Sequence, residues 1–287
     1  MSGKTNPAAS IRARLLNQSR EQKVDFQRIL INYGLERLLY RLSVSPYRDE
    51  FVLKGAMLFS CWSGDVYRAT KDVDFLKSGE ATIEYLERVF TDLCAQAVEP
   101  DDGLLFDAKS IKAAEIREED HYGGIRVTLK ATLSNAEIPI QADIGIGDVI
   151  TPEAESIEFP TLLDMPVPIL KAYPVETVIA EKFEAMVSLG FANSRMKDFY
   201  DIWAIQKFIP PDSKILAEAI ENTFNRRGTS LPTEVPLALT DAFSRDETKQ
   251  KQWKAFVKRA GVAHHATDTL HETVDEIRPF LMASVKR

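Results

Sequence analysis

The apolar and polar positions of the first 62 residues predict helices followed by a short strand. Apolar residues at helical spacing between positions 9 and 43 predict one or two amphipathic helices, with Gly34 as the expected weak point. The residues that define this spacing are Phe26, Leu30, Tyr33, Leu38 and Leu42. The stretch EFVLKGAMLFSCW then predicts a strand that ends at Lys54, a glycine turn at Gly55 and a short apolar helix.

The middle of the chain changes to a period of two, which is typical of strands. The segment DVDFL (72–76) is predicted to be a strand, and residues 81–96 an amphipathic helix. Alternation between residues 104 and 146 predicts three more strands, in LLFDAKSIKAAEI, GGIRVTLKATL and IPIQADIGI. One face of the second of these carries only apolar residues, namely Ile125, Val127, Leu129 and Ala131. We therefore expect a sheet with one side buried.

Prolines punctuate the chain from residue 160, and helical spacing follows them. We expect FPTLLDMPVPILKAYP to be a connector, and VETVIAEKFEAMVSLG, RMKDFYDIWAIQKF and the remainder to be helical. Helices, a mixed sheet and then more helices predict an α+β fold. The expected segments are N-terminal basic helices over 1–48, a sheet-containing lobe over 49–165 and a helical lobe over 166–287.

The composition is that of an ordinary globular chain. Its 287 residues are 45% hydrophobic, which is enough to bury a full core. No stretch approaches the ~18 apolar residues that span a bilayer, and the first residues lack the order of a secretion signal. We therefore expect no membrane association and a cytoplasmic location. The two cysteines, Cys61 and Cys94, favour neither a disulfide framework nor a metal site.

Charge is distributed unevenly along the chain. The formal net charge is −7, yet residues 1–48 contain nine Lys or Arg against three Asp or Glu. That segment is thus +6, and the remainder is −13. A basic helical arm beside an acidic body would offer phosphates a local binding surface, whereas the plainer alternative is a solvated helix face.

Asp72 and Asp74 lie two residues apart in an apolar strand. Because side chains alternate along a strand, both carboxylates point to one face, and Val73 and Phe75 point to the other. Two carboxylates at this separation repel unless a cation lies between them, and oxygen ligands on a rigid strand suit Mg²⁺. The alternative is a pair of acids on a solvent-exposed face.

Two neighbouring features favour the metal interpretation. Asp143 interrupts the apolar strand IPIQADIGI, and a third carboxylate on the next strand would suit a two-metal site. An edge-strand acid in water is the alternative. The glycine turn after Lys54 offers backbone N–H groups and the positive end of a helix to a phosphate.

Lys182 falls near the centre of the apolar face of the helix predicted over 174–188. Burying an ammonium group without a partner is costly, so we expect it to face a carboxylate or an anionic ligand unless it reaches solvent. On the next helix, periodicity favours Asp198 as the inward acid, with Arg195 beside it and Asp201 at the border. A structural Arg–Asp pair would explain part of this pattern without chemistry.

Five motifs occur in a fixed order along the chain: K-G-x-x-L, R-x-T-K-D-x-D, D-I-G-x-G-D, A-E-K-F and R-x-K-D-F-x-D. This set resembles the AbiEii/MenT-like toxin nucleotidyltransferases of the DNA polymerase β-like superfamily. Here the motifs fall within residues 54–58, 68–74, 143–148, 180–183 and 195–201. The resemblance implies a bilobed protein, with a mixed nucleotidyltransferase sheet flanked by helices and a C-terminal helical lobe. It also implies a toxin of the toxin–antitoxin or phage-defence type.

The resemblance implies particular site residues as well. Asp72 and Asp74 would bind Mg²⁺ or Mn²⁺, with Asp143 as a third candidate ligand, and NTP phosphates would lie near Gly55. The other nucleotide-binding candidates are Lys54, Arg68, Thr70, Lys71 and Arg195. The family's essential lysine corresponds to Lys182 and its late aspartate to Asp201, and the periodicity argument keeps Asp198 as a second candidate.

One departure from the superfamily pattern concerns the glycine turn. A serine or threonine usually follows the glycine, whereas here the turn continues Gly55-Ala56-Met57. Backbone amides, Lys54 and Thr70 would have to take over the contact with phosphate. Thr70 also lies where some relatives carry a hydroxyl that is modified.

The resemblance implies transfer of nucleotides from an NTP to the 3′ end of a tRNA, which blocks translation, and a cognate antitoxin protein as a partner. Three other hypotheses remain open on the residues alone. The chain would be a catalytically inactive NTP-binding module, an antibiotic-type nucleotidyltransferase that acts on a small molecule, or a helical interaction protein whose acids are accidental.

Overall fold

A computed structural model describes residues 6–62, 70–79, 81–116 and 123–285. The chain divides into two compact units. Unit 1 comprises Met1–Cys61, Thr70–Gly147 and Ser156–Ala172, and unit 2 comprises Trp62–Ala69, Asp148–Glu155 and Tyr173–Arg287. The predicted α+β class is confirmed, because a mixed sheet and numerous helices make up the described chain.

Unit 1 is organised around a seven-stranded mixed sheet with the spatial order β3-β4-β5-β2-β1-β7-β6. The strands are β1 (Phe51–Lys54), β2 (Val73–Lys77), β3 (Leu104–Ile116), β4 (Gly124–Leu133), β5 (Ala136–Ile146), β6 (Glu155–Glu158) and β7 (Ile169–Ala172). β2 runs parallel to β5 and β1 runs parallel to β7, whereas β1–β2, β3–β4 and β4–β5 are antiparallel. The strands predicted from alternation are all present.

A tight turn sets the register between β4 and β5. Ser134 and Asn135 form the turn, with Ser134 in the left-handed region at φ 56°, so that Leu133 faces Ala136. A two-residue hairpin turn fixes the pairing of every residue behind it. One face of the hairpin is consequently apolar and buried, and includes Val127, Leu129, Ile140, Ala142 and Ile144.

Two long helices precede the sheet, and the break between them differs from the predicted one. They are α1 (Pro7–Gln22) and α2 (Phe26–Ser43), and the chain turns at Lys23, which adopts a left-handed conformation at φ 55°. Gly34, the predicted weak point, lies inside α2. A Cβ atom there would lie 2.7 Å from Cδ1 of Ile140 on β5. The glycine therefore permits close helix–sheet packing instead of ending a helix.

Two further helices accompany the sheet, and the segment after residue 160 contains a strand where a connector was predicted. A one-turn 3₁₀ helix at Gly55–Leu58 leads into α3 (Phe59–Trp62), as the strand–turn–helix pattern predicted, and α4 is Ile83–Ala95. The residues ILKA form β7, which buries Leu170 and Ala172 beside β1. The connector prediction was wrong there because a four-residue strand between prolines carries too little alternation to recognise.

Unit 2 is predominantly helical in its described part, as predicted. Its helices are α5 (Val175–Leu189), α6 (Met196–Phe208), α7 (Ser213–Arg227), α8 (Asp241–Ser244), α9 (Glu247–Ala260) and α10 (Leu270–Val285). Aromatic side chains fill the space among them, and Phe199 stacks on Phe243 at 5.6 Å. In the part of the chain that the structure describes, no helix combines the length and the apolar character that a bilayer crossing requires.

Buried charges on α2 reduce the basic surface that the N-terminal segment was expected to offer. Arg41 pairs with Asp102 at 2.5 and 3.1 Å, and both residues are buried. Arg37 is buried beside Glu36, with Nε 3.4 Å from Oε1, and donates to the carbonyl of Pro166 at 2.8 Å. Two of the nine N-terminal cations therefore stabilise the interior of unit 1 and are not available to an external phosphate.

Glu36 is expected to make the stability of the protein depend on pH. Burial raises the pKa of Glu36 from 4.5 to about 7, although the backbone N–H of Leu162 and the charge of Arg37 oppose this rise. Between these values the folded state binds more protons than the unfolded state, so stability falls as pH rises. The effect amounts to about 3 kcal/mol, because one pKa unit corresponds to ~1.4 kcal/mol.

Glu36→Gln should remove this dependence. The free energy of unfolding, measured by urea titration from pH 4 to 8, is expected to shift in favour of the variant by about 3 kcal/mol as pH rises. Glu21→Gln, a change at an exposed glutamate on α1, is the control and should retain the wild-type slope. A Glu36→Gln curve parallel to that of the wild type would show that Glu36 does not titrate in this range.

Candidate active site

Four charged residues form one row across the centre of the sheet in unit 1. Arg126 on β4 pairs with Asp143 on β5, Asp143 pairs with Asp74 on β2, and Asp74 pairs with Lys54 on β1. Directly paired residues of neighbouring strands share a face, so all four side chains leave the same side of the sheet. The opposite side is core, because Val73, Phe75, Ala142 and Ile144 are buried. The predicted acids Asp74 and Asp143 are thus brought together by strands distant in sequence.

The glycine turn after β1 lies directly against Asp74. Gly55 has a φ of +75°, and a Cβ atom at this position would overlap the Asp74 carboxylate, with Cγ only 2.7 Å away. Only glycine permits this backbone conformation and this approach together. Lys54 Nζ lies on the same side of the sheet, 3.2 Å from the position that a Cβ of Gly145 would occupy. The predicted phosphate-binding turn and a predicted metal ligand are therefore in contact.

Asp143 is held by a neighbour that the sequence motifs did not single out. Arg126 donates from Nε and Nη2 to the two Asp143 oxygens, each at 2.7 Å. Gln141 Nε2 lies 3.3 and 3.4 Å from the same oxygens. The hydrogen bond to Asp143 raises the pKa of Arg126, and the charges of Asp143, Asp72 and Asp74 raise it further. Arg126 therefore experiences the field of all three acids.

Thr70, Asp72 and Lys71 lie just before β2. The Thr70 hydroxyl donates to Asp72 Oδ1, and Thr70 itself is buried. Asp72 is partly exposed, whereas Lys71 is exposed. Arg68, another predicted nucleotide-binding residue, lies outside the described residues. The Thr70 bond orients Asp72 locally, two residues before Asp74.

The second predicted group lies in unit 2, where the expected ion pair is present. Lys182 on α5 lies 2.6 Å from Asp198 and 2.9 Å from Asp201, both on α6. The lysine side chain is 13% exposed, and the two aspartates are 0% and 1% exposed. The prediction that this buried lysine faces a carboxylate is confirmed, and both candidate aspartates contact it.

Arg195 completes this group, as the helical spacing predicted. Its Nε lies 2.8 Å from Asp198 Oδ2. Burial on its own would raise the pKa of Asp198, but the charges of Lys182, Arg195 and Lys197 outweigh it and hold that pKa below its ordinary value. Asp198 is therefore ionised at neutral pH, and it fixes the ammonium of Lys182 together with Asp201.

Other charged clusters in unit 2 carry their own counter-charges. Arg227 pairs with Asp148 at 3.1 Å and with Glu184 at 2.9 Å, and Thr229 also donates to Glu184. One group among the described residues has the spacing of a metal site and consists of Asp241, His271 and Asp275. Arg278 lies 2.6 Å from Asp241 and 3.1 Å from Asp275, and Arg245 contacts His271. These cations already balance the group, so we assign no metal to it.

The donors on the sheet face of unit 1 fit a divalent cation. Asp74 on β2 and Asp72, which directly precedes that strand, are two partly exposed carboxylates, the donor type that Mg²⁺ and Mn²⁺ prefer. Because Gly55 has no side chain, the backbone of its turn lies directly against the Asp74 carboxylate. A cation on these acids would lie beside a turn suited to phosphate. The arrangement is therefore suited to binding the phosphates of a nucleotide together with a metal ion.

Comparison with known proteins identifies the family of the chain. The family model described as "Nucleotidyl transferase AbiEii toxin, Type IV TA system" matches residues 37–277. A candidate nucleotidyltransferase from H. pylori superposes with a TM-score of 0.52 at 16% identity, covering 92% of this chain and 96% of that one. JHP933 from Helicobacter pylori gives a TM-score of 0.44 at 15% identity, covering 90% of this chain and 98% of that one. A comparison with curated proteins finds no match.

Proposed function

Since the chain belongs to the AbiEii family of nucleotidyl transferase toxins of type IV toxin–antitoxin systems, we propose that it transfers a nucleotide from an NTP to the 3′ end of a tRNA. Blocking that end would prevent aminoacylation and arrest translation. The proposal is carried by one observation, the contact between the Gly55 turn and Asp74. A cognate antitoxin protein is the partner that the family implies.

Asp72 and Asp74 would hold Mg²⁺ or Mn²⁺ in this proposal. When bound, such an ion supplies charge neutralisation for NTP phosphates and for the departing pyrophosphate. Backbone N–H groups at Gly55 and the ammonium of Lys54 bind phosphate oxygens, and Thr70 orients Asp72 through its hydroxyl. The chain has Ala56 where the superfamily has a hydroxyl, and Ala56 is buried, so backbone and lysine donors carry this contact.

We assign Lys182 as the family's essential lysine on the basis of the resemblance. Asp198 and Asp201 hold its ammonium at 2.6 and 2.9 Å, which restricts the rotamers of the lysine. Asp201 remains first among the two aspartates on resemblance. Arg195 pairs with Asp198, so it acts on the lysine through that carboxylate and is a nucleotide-binding candidate at the same time.

Exposed cations of α1 support an RNA acceptor. Arg14 and Arg20 on this helix and Lys23 at its C-terminal end are exposed, unlike Arg37 and Arg41. Because the body of the protein is acidic, this local positive charge would steer the phosphate backbone of a tRNA. Removing it should weaken RNA binding increasingly as salt concentration falls.

The experiment that tests the proposal follows label from each NTP into RNA. The protein is incubated with Mg²⁺, each α-³²P-labelled NTP in turn and purified tRNA, and products are separated by gel. We expect one NTP to label tRNA in the wild type, with no labelling by Asp72→Ala or in EDTA. Periodate-oxidised tRNA, which has lost the ribose diol at its 3′ end, is the matched acceptor control and should stay unlabelled.

The alternative functions give different results in the same assay. Label in a small acceptor but not in RNA would indicate an antibiotic-type nucleotidyltransferase. NTP binding without transfer to any acceptor would indicate an inactive binding module. Equal labelling by Asp72→Ala and the wild type would contradict the proposed site.

A further inference from the structure

Arg126 places a guanidinium beside Asp143, the carboxylate that would be the third acidic ligand of a two-metal site. It forms one end of the row, and Asp143 is the direct neighbour of Asp74. A two-metal site needs carboxylates that are shared between two cations a few ångströms apart. In this chain the position next to the third carboxylate holds a guanidinium instead.

The bonds to Asp143 leave this carboxylate poorly suited to ligate metal. Both oxygens accept from Arg126 at 2.7 Å in the bidentate geometry that gives the strongest carboxylate pairs. Gln141 supplies a third donor to the same oxygens. The charge of Asp143 is thus neutralised, and much of its capacity to accept bonds is already used.

The positive charge of Arg126 also acts on the remaining acids. Asp143, Asp72 and Asp74 all favour its charged form, so the four groups lie within electrostatic reach of one another. Asp72, Asp74 and Asp143 carry three negative charges, and Arg126 together with Lys54 at the other end of the row carries two positive ones. The net charge of −1 gives little electrostatic support for a second divalent cation.

We propose that Arg126 is a built-in cation that withholds Asp143 and replaces a second divalent ion, so that Asp72 and Asp74 bind one divalent cation. This inference rests on the proposed function, because it concerns the same ligand set. Arg126 is a positioning residue here, since it acts through Asp143. In this proposal Asp143 anchors the guanidinium of Arg126 and does not ligate the metal ion.

The test counts bound ions directly and needs neither nucleotide nor turnover. Isothermal titration calorimetry and electron paramagnetic resonance with Mn²⁺ alone are applied to the full chain. We expect the wild type to bind one ion that is lost in Asp72→Asn/Asp74→Asn. Arg126→Gln should gain one further ion, and Arg126→Gln/Asp143→Asn should lose that gain. Arg126→Lys should restore single-ion binding, because it keeps the positive charge.

Lys130→Gln is the matched control on the same pair of strands. Lys130 on β4 pairs with Glu137 on β5 at 3.0 Å, well away from the row in register, and both side chains are exposed. Its loss removes one cation from the hairpin and should leave the number of bound ions unchanged. Melting temperatures check that the variants fold. We expect little loss of stability in Arg126→Gln, because the Arg126 side chain is 45% exposed.

The outcomes separate this inference from the proposed function. An unchanged ion count in Arg126→Gln, or a second wild-type ion that depends on Asp143, would overturn the role of Arg126 while leaving the Asp72 and Asp74 site intact. Absence of any wild-type Mn²⁺ binding that depends on Asp72 and Asp74 would overturn both.

Discussion

Asp74→Asn is expected to reduce nucleotide transfer by at least about 10³-fold without unfolding the protein. A metal ion contributes several kcal/mol of transition-state stabilisation, and each ~1.4 kcal/mol changes the rate tenfold. Asparagine keeps the shape that fits against the Gly55 turn, so the backbone contact is preserved while the negative charge is lost. Initial rates of label transfer at saturating Mg²⁺ measure the effect, and thermal melting checks the fold.

One further variant should reproduce this loss, and another serves as a control. Asp72→Asn should cause a loss of similar size, because it removes the other carboxylate proposed to bind the metal ion. Asp164→Asn, at an exposed aspartate elsewhere in unit 1, should transfer nucleotide at the wild-type rate. If Asp72→Asn/Asp74→Asn kept more than a tenth of the wild-type rate, the assignment of these acids as metal ligands would be wrong.

Lys182→Ala is expected to lower the free energy of unfolding by about 3–5 kcal/mol at pH 7. The change leaves Asp198 and Asp201, which are 0% and 1% exposed, buried without the ammonium that now lies 2.6 and 2.9 Å away. Arg195 still pairs with Asp198 in the variant. Urea titration at constant temperature measures the difference, and the slope of the titration shows whether unfolding remains two-state.

The pH dependence of this variant distinguishes lost charge pairing from lost packing. In the wild type the pKa of Asp198 is lowered, so its contribution is present above the unfolded value near 3.8 and is lost as pH falls through the folded value. Without Lys182 the pKa of Asp198 rises. Protonation of Asp198 then removes the cost of a buried, poorly compensated negative charge in the variant. The stability gap should therefore narrow as pH falls toward 4. Lys182→Met/Asp201→Asn should recover part of the loss, and a gap that stays constant with pH would indicate a packing defect instead.

Local periodicity was sufficient for most elements and for the types of residue at the site. Alternation predicted β2 to β5, because the side-chain period of a strand does not depend on its partners. The predicted strand began at Asp72, whereas β2 begins at Val73. Helical spacing likewise predicted a buried Lys182 and an inward Asp198. Periodicity failed where a tertiary contact chose the outcome, as at Gly34, which meets Ile140, and in β7, which is too short to recognise.

The Arg126–Asp143 pair depends both on a local turn and on a contact between two strands. In the structure the tight turn at Ser134 and Asn135 sets residues 126 and 143 opposite each other, since hairpin register follows from the turn. The hydrogen bonds from Arg126 to Asp143 were not predicted, because the type of a residue carries no information about which side chain lies beside it.

Repeats of two and 3.6 residues are enough to define the α+β class, the alternating faces of the strands and the inward position of Lys182. The parallel pairing of β2 with β5, the pairing of Asp74 with Asp143 and the contact of the Gly55 turn with Asp74 are visible only in the folded protein. Those contacts join strands separated by tens of residues, and their hydrogen-bond register depends on the packing of the whole sheet.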